Sequence, residues 1–300
     1  SVLLHGNEDV GLVAIQQVLK AHAGRELPRA MSLFIGNVSA AREGLRRLDQ
    51  QPDYNRVWPG TVVHAGTMEA AAMQQVHQIM TERGLFASID IHNNTGLNPH
   101  YSVVCQLDAH TLNLARLLTR TIVWFRGPQG SQTASFAPLC PSVAVECGKP
   151  GNPANEAEAA RFIEACLHLD HFPEHPVRES DIDLYHTVGL VKVPPDIDFG
   201  FGNPDQALNF DPQLDHLNFV ELDAGAVFAH THIDRPLDVR NEQGEDVTDS
   251  FFQTRDGQLQ LRRPSMPAML TLDAQVVRQD CLCYLMERVP FALVEKARKA

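Results

Sequence analysis

Apolar positions recur at helical spacing through Leu12, Ile15, Val18 and Leu19, which predicts an amphipathic helix from about Val10 to Ala23 with Gly24 as its stop. Short apolar runs alternate with helices of this kind over the first 180 residues. Val2 to Leu4, Ala30 to Ile35, Leu85 to Ile91, Tyr101 to Cys105 and Pro141 to Glu146 read as strands. Ala40 to Asp49, Thr67 to Arg83, Asp108 to Thr121 and Asn155 to Leu169 read as helices. Strand-helix-strand succession predicts parallel pairing and a layered α/β sheet. Between them, residues 50–60 carry two prolines and a terminal glycine and predict a loop of fixed shape.

The texture changes near Asp181. Leu184 to Val193, Ala226 to Thr231 and Ala268 to Leu272 read as strands, and Phe251 to Leu261 as a hairpin turning at Asp256-Gly257. Helical patterns return only in the last ten residues. The chain therefore divides into an α/β domain, 1–178, whose N-terminal strand is incomplete, and a smaller, mainly β domain, 179–300.

The 300 residues carry a formal charge of -12, which argues against a nucleic-acid or anionic-membrane partner, although a few arginines in one pocket still suit a small anionic substrate. No apolar run approaches the roughly 20 residues of a membrane span, and no signal-peptide pattern is present. Six cysteines without zinc-ribbon or redox spacing read as reduced, mostly buried thiols of a cytoplasmic protein.

The candidate chemistry sits at strand ends. His5 and Glu8, three positions apart in Ser1-Val-Leu-Leu-His-Gly-Asn-Glu8, can grip one ion from the same side. A zinc site that does chemistry uses three protein ligands, His2Glu among the known sets, and His92 in Ser88-Ile-Asp-Ile-His92 is the candidate third. Asp90 lies two residues earlier and faces the same way, so it is a candidate partner for that imidazole, or simply a strand aspartate. In an open α/β sheet the carboxyl ends of strands form the ligand crevice, where distant residues converge. His230-Thr-His232 would line one face of a β-domain strand, and His64, His100, His168, His171 and His175 show no liganding companions.

Five motifs follow one another: His5-Gly-Asn-Glu8; Asn37 followed by Arg46; Asp53-Tyr-Asn55-Arg56 closed by Trp58-Pro-Gly60; Asp90-Ile-His92-Asn93; and Val145-Glu146-Cys-Gly148. In order and spacing they resemble the succinylglutamate desuccinylase/aspartoacylase family of the zinc-carboxypeptidase superfamily. The resemblance implies a mixed sheet flanked by helices, followed by a smaller β domain. It implies one zinc per chain held by His5, Glu8 and His92, with Glu146 as the catalytic glutamate. It further implies that Arg46 polarises the scissile carbonyl and that Asn55 and Arg56 hold the substrate's free carboxylate. Arg42 and Arg47 share the predicted helix with Arg46 and are alternatives to it.

The acyl pocket departs from the family. Aspartoacylases carry an arginine about ten residues before the catalytic glutamate, where this chain has Phe136, and Met266 to Leu270 stand near the place of their β-domain tyrosine. Asn94 and Thr95, in the polar loop after His92, are candidate acyl-binding residues. The sequence thus predicts a zinc hydrolase cleaving an amide next to a free carboxylate, in an N-acyl amino acid. A carboxypeptidase acting on short peptides and a catalytically silent metal- or ligand-binding protein are the alternatives.

Overall fold

The computed structural model describes residues 1–126, 129–173 and 175–297. Two compact units emerge. One comprises Ser1–Asn93, His100–Tyr185 and the chain from Val289 onward; the other comprises Asn94–Pro99 and His186–Arg288.

The first unit holds α1 (Val10–Ala21), α2 (Val38–Arg42), α3 (Met68–Arg83), β1 (Ser88–His92), β2 (Tyr101–Val104), α4 (Ala109–Ala115), β3 (Thr121–Trp124), α5 (Gln132–Phe136), β4 (Ser142–Glu146), α6 (Pro153–Leu167) and the start of β5 (Asp183–Lys192). Its strands lie in the order β1-β4-β2-β3-β5. Val10, Ala14 and Val18 of α1 and Ala159, Phe162 and Ile163 of α6 bury against Ile91, Val143 and Val145 of the sheet. A second cluster gathers Leu4, Val57, Trp58, Met73 and Phe136. α3 starts at the Thr67 cap, which accepts from the Ala70 amide, and stops at Gly84, whose φ of 72° side chains resist.

The second unit continues β5 from His186 and adds β6 (Phe199–Phe201), β7 (Leu208–Phe210), β8 (Val227–Thr231), β9 (Asp238–Arg240), α7 (Thr248–Phe251), β10 (Phe252–Arg255), β11 (Gln258–Leu261), β12 (Met266–Ala268), α8 (Ala274–Gln279) and β13 (Cys283–Arg288). β10-β11-β8-β7-β6 form a separate five-stranded sheet, and β10 and β11 pair as the hairpin expected, with Asp256 and Gly257 both at positive φ. After β13 the chain closes with α9 (Phe291–Ala297), and Phe291 and Val294 pack on the core of the first unit. No helix among the described residues is long and apolar enough to cross a membrane.

Several sequence expectations are corrected here. β2 runs antiparallel to β4, whereas β1–β4 and β2–β3 are parallel. A short loop connects β1 to β2 without a crossover helix, and a parallel neighbour would require one. Val2 to Leu4 is no full strand: Val2 bridges Ile91 and Ile35, and Leu3 then leaves the β region at φ 57°. Ala30 to Ile35 likewise contributes only the bridge at Ile35. The helix expected over 40–49 is the five-residue α2, ended by Gly44 at φ 65°. That places Arg46 in the following turn. The helix expected over 108–121 stops at Ala115, and its last predicted residue opens β3, a four-residue strand too short to show a period.

Candidate metal centre and active site

Local backbone geometry assembles the site. Leu3 at φ 57° swings the chain out of the sheet edge, and the Glu8 amide donates to the His5 carbonyl at 3.1 Å, closing a tight turn before α1. Gly6 sits inside that turn against the end of α2, and its amide donates to the Arg46 carbonyl at 3.0 Å. A Cβ on Gly6 would lie 2.3 Å from the Ala41 nitrogen and 2.6 Å from the Leu45 oxygen, both backbone atoms. Gly6→Ala is therefore expected to cost about 3 kcal/mol, read by urea denaturation. Wild-type stability in that variant would mean the turn is not packed this way.

β1 delivers His92 and Asp90 on one face, and the β1–β4 register sets Glu146 beside His92. His5 and Glu8 then meet His92, which lies 84 residues beyond Glu8. His5 Nδ1 lies 2.8 Å from Glu8 Oε1, and His92 Nδ1 lies 2.7 Å from Glu8 Oε2. The rings are 5.2 Å apart, and all three side chains are buried. Each outer nitrogen meets a second carboxylate: His5 Nε2 lies 3.0 Å from Asp53 Oδ1, and His92 Nε2 lies 2.6 Å from Asp90 Oδ2.

This donor set fits a zinc ion. One ligand atom from each of His5, Glu8 and His92 lies within 4.8 Å of the others. Zinc bonded at its usual lengths keeps tetrahedral donors about 3–4 Å apart. Carboxylates on the outer nitrogens are the usual means of orienting liganding imidazoles.

Buried charge sets the protonation. Burial opposes ionisation of Glu8, but His5 and His92 outweigh it and hold the carboxyl well below its usual range. Burial would lower His92, yet Asp90 and Glu8 raise it well above an ordinary histidine; His5 is also raised, against burial and Arg46, by Glu8 and Asp53. Burial pushes Glu146 up to about 8, with Glu8 adding to the shift and His92 opposing it. Liganding imidazoles must be neutral, so metal uptake near neutral pH is expected to release protons. Calorimetry in buffers of different ionisation enthalpy reads this directly; no buffer dependence would contradict the assigned protonation.

Arg46 is buried, with Nη2 3.0 Å from Asp53 Oδ2 and Nη1 3.4 Å from Glu8 Oε1. Neither Arg42 nor Arg47 is buried there; Arg47 donates to the Gln51 carbonyl at 3.0 Å. Asn55 Nδ2 lies 3.3 Å from His92 Nε2, its Oδ1 accepts from the Gln132 amide at 2.9 Å, and Arg56 Nη1 donates to the Asn55 carbonyl at 2.8 Å.

Sequence reasoning missed two residues. Asp53, quoted only as part of a motif, bonds His5 and Arg46 and accepts from the Asn55 amide at 2.7 Å, so one carboxylate joins an imidazole, a guanidinium and the Asn55–Arg56 loop. Its position two residues before Asn55 was the available signal. Asn93 takes the Val10 amide at the start of α1 (3.0 Å), donates its own amide to Glu8 (3.4 Å) and donates its side chain to the Gly148 carbonyl (3.1 Å).

A family model described as the succinylglutamate desuccinylase/aspartoacylase catalytic domain matches residues 4–169, more than half of the chain. The chain belongs to this family. Among solved structures, succinylglutamate desuccinylase from Vibrio parahaemolyticus is 15% identical with a TM-score of 0.62, covering 97% of this chain and 81% of that one. Murine aminoacylase 3 is 17% identical with a TM-score of 0.61 (96% and 94% covered). A succinylglutamate desuccinylase/aspartoacylase from Rhodobacter sphaeroides is 15% identical with a TM-score of 0.59 (95% and 84% covered). No curated protein sequence matches. The likenesses to solved structures establish a shared mixed α/β fold with a second, β-sheet portion. Membership makes this chain one of a family of hydrolytic deacylases.

The remaining candidates lie elsewhere. Asn94 and Thr95 belong to the second unit, where Thr95 Oγ1 donates to Thr271 Oγ1 at 2.8 Å. Phe136 fills the core beside Trp58 and His77, so the position of the family's extra arginine is apolar packing here. His230 and His232 are exposed, and among the described residues the group whose ligand atoms already lie within 4.8 Å of one another is His5, Glu8 and His92.

Proposed function

We propose that this protein is a zinc-dependent deacylase that hydrolyses the amide of an N-acyl amino acid next to its free carboxylate. The observation that carries the reading is the convergence of both Nδ1 atoms on Glu8, with each outer nitrogen on its own carboxylate and Glu146 in register beside His92. His5, Glu8 and His92 would hold one zinc ion. A zinc ion bound there supplies Lewis acidity and lowers the pKa of water towards neutrality.

The chain's own groups do the rest. Glu146, raised to about 8 before metal enters, takes a proton from the attacking water and passes it to the departing amine. A dication nearby draws that carboxyl back towards the ionised form it needs as a base. The Arg46 guanidinium stabilises the charge that develops on the carbonyl oxygen only in the transition state. Arg56 offers a planar fork to the substrate carboxylate, with Asn55 beside it fixing direction. Asp90 and Asp53 orient the two imidazoles. Asn94 and Thr95, which follow His92 in the chain, remain the acyl-side candidates by sequence, and with Phe136 in place of an arginine no further cation is assigned to a second anionic group on the substrate. Six cysteines without zinc-ribbon or redox spacing suit a reducing, cytoplasmic setting.

The test is a hydrolysis screen of N-acetyl, N-formyl and N-succinyl amino acids against dipeptides, with Glu146→Ala as the blank. Turnover of a mono-anionic N-acyl amino acid above the blank supports the reading. Cleavage of dipeptides alone would replace it with a carboxypeptidase, and no zinc-dependent turnover of any substrate would sink it.

A further inference from the structure

A second set of two imidazoles and one carboxylate lies on the surface of the first unit, apart from the site above, its ligand atoms more widely spread than the 4.8 Å within which those of His5, Glu8 and His92 gather. His22 caps the C-terminal end of α1, and His168 caps the C-terminal end of α6. Glu164 lies one helical turn before His168, so the two share a face of α6. His22 Nε2 lies 2.9 and 3.0 Å from the two oxygens of Glu164. His168 Nδ1 lies 3.6 Å from the same carboxylate. The His22 and His168 rings are 6.4 Å apart and tilted by 42°, against 5.2 Å and 48° for His5 and His92.

We propose that His22, Glu164 and His168 form a second site for a divalent transition metal, of the class that imidazole with carboxylate favours: zinc, nickel or copper. His22 and Glu164 are already set. The His22 side chain is 14% exposed, and its Nε2 faces the carboxylate squarely. His168 completes the set by reorienting. Its side chain is 61% exposed, and its Nδ1 is on the Glu164 backbone carbonyl at 2.9 Å, a contact given up on ligation.

Sequence reading finds no companion for His168 because the companion arrives from α1, 142 residues before Glu164. The 12 residues of α1 separate His22 from the Glu8 turn, a span of about 18 Å at the helical rise, so the two sites fill independently. Metal here would clip the far end of the helix that starts beside Glu8. The competing account needs no ion: the two imidazoles at helix C-termini pair with Glu164 directly.

Metal-stripped protein titrated with Zn²⁺ in equilibrium dialysis separates the two. Wild type and the surface control His171→Ala are expected to bind two zinc ions per chain, and His22→Ala or His168→Ala one. In a His92→Ala background the remaining ion should raise the melting temperature, and adding His168→Ala should abolish that rise. His22→Gln, which keeps a hydrogen-bonding side chain, guards against loss of folding and should also bind one. A single ion per wild-type chain that His22→Ala leaves untouched overturns the proposal, as does a second ion that survives both substitutions. A single ion lost in His22→Ala and kept in His92→Ala would instead overturn the catalytic centre and leave this site standing.

Discussion

Glu146→Gln is expected to lower kcat by about 10²–10⁴-fold, the usual contribution of a positioned general base, while bound zinc and KM stay near wild type. Glutamine keeps the shape and the burial at 7% exposure but cannot take a proton. The same variant makes a stability prediction of definite sign. In the metal-free protein the Glu146 carboxyl is raised from 4.5 to about 8, chiefly by burial. The folded state therefore prefers the neutral acid. Its favourable contribution is complete below pH 4.5 and is lost as pH rises through 8. Metal-free Glu146→Gln should match wild type at pH 4.5 and exceed it above pH 8, by on the order of a few kcal/mol. Unchanged turnover removes Glu146 from the chemistry; equal stabilities at both pH values remove the burial argument.

The second large effect is His92→Ala, expected to weaken zinc binding by more than about 100-fold, since loss of a mere outer partner already costs 10–100-fold. Metal content after dialysis, read by mass spectrometry, decides it, and full retention takes His92 out of the site. Metal-free stability should fall as well. Asp90, fully buried, loses its 2.6 Å partner and keeps only the Ser1 hydroxyl at 2.7 Å, while Glu8 loses one of its two imidazoles. Breaking such a buried pair costs about 3–5 kcal/mol. The pH window follows from the shifts. Asp90 is depressed below 3.8, so its contribution is present above that value and lost in acid; His92 is raised well above 6.5, so its contribution is complete below 6.5 and lost on passing its folded value. The gap between wild type and variant should be widest between pH 3.8 and 6.5.

The elements legible in sequence were those whose signal is local. α3 carries a Thr67 cap, sixteen residues rich in helix formers and a Gly84 stop, and the Asp256-Gly257 hairpin needs only its turn. β3 was missed because four residues show no period, only its first residue, Thr121, falling in a predicted helix, and Arg46 was assigned to a helix that Gly44 ends early. Within the site, His5, Glu8, His92, Glu146 and the Asn55–Arg56 pair were legible because motifs keep residue types at fixed spacing. Asp53 and Asn93 were not, because their roles lie in bonds to segments tens of residues away.

By itself, then, the sequence determined which residue types stand at the turns and strand ends, and the family that this ordered set belongs to. Tertiary structure alone decided that Glu8 receives both Nδ1 atoms, that each outer nitrogen finds its own aspartate, and that Phe136 is core. It also decided that Asn94–Pro99 groups with the second unit and that His22 meets Glu164. The reason is physical: spacing along a chain constrains one turn of backbone, whereas the meeting of atoms from distant segments is set by sheet register and helix packing, which no local pattern encodes.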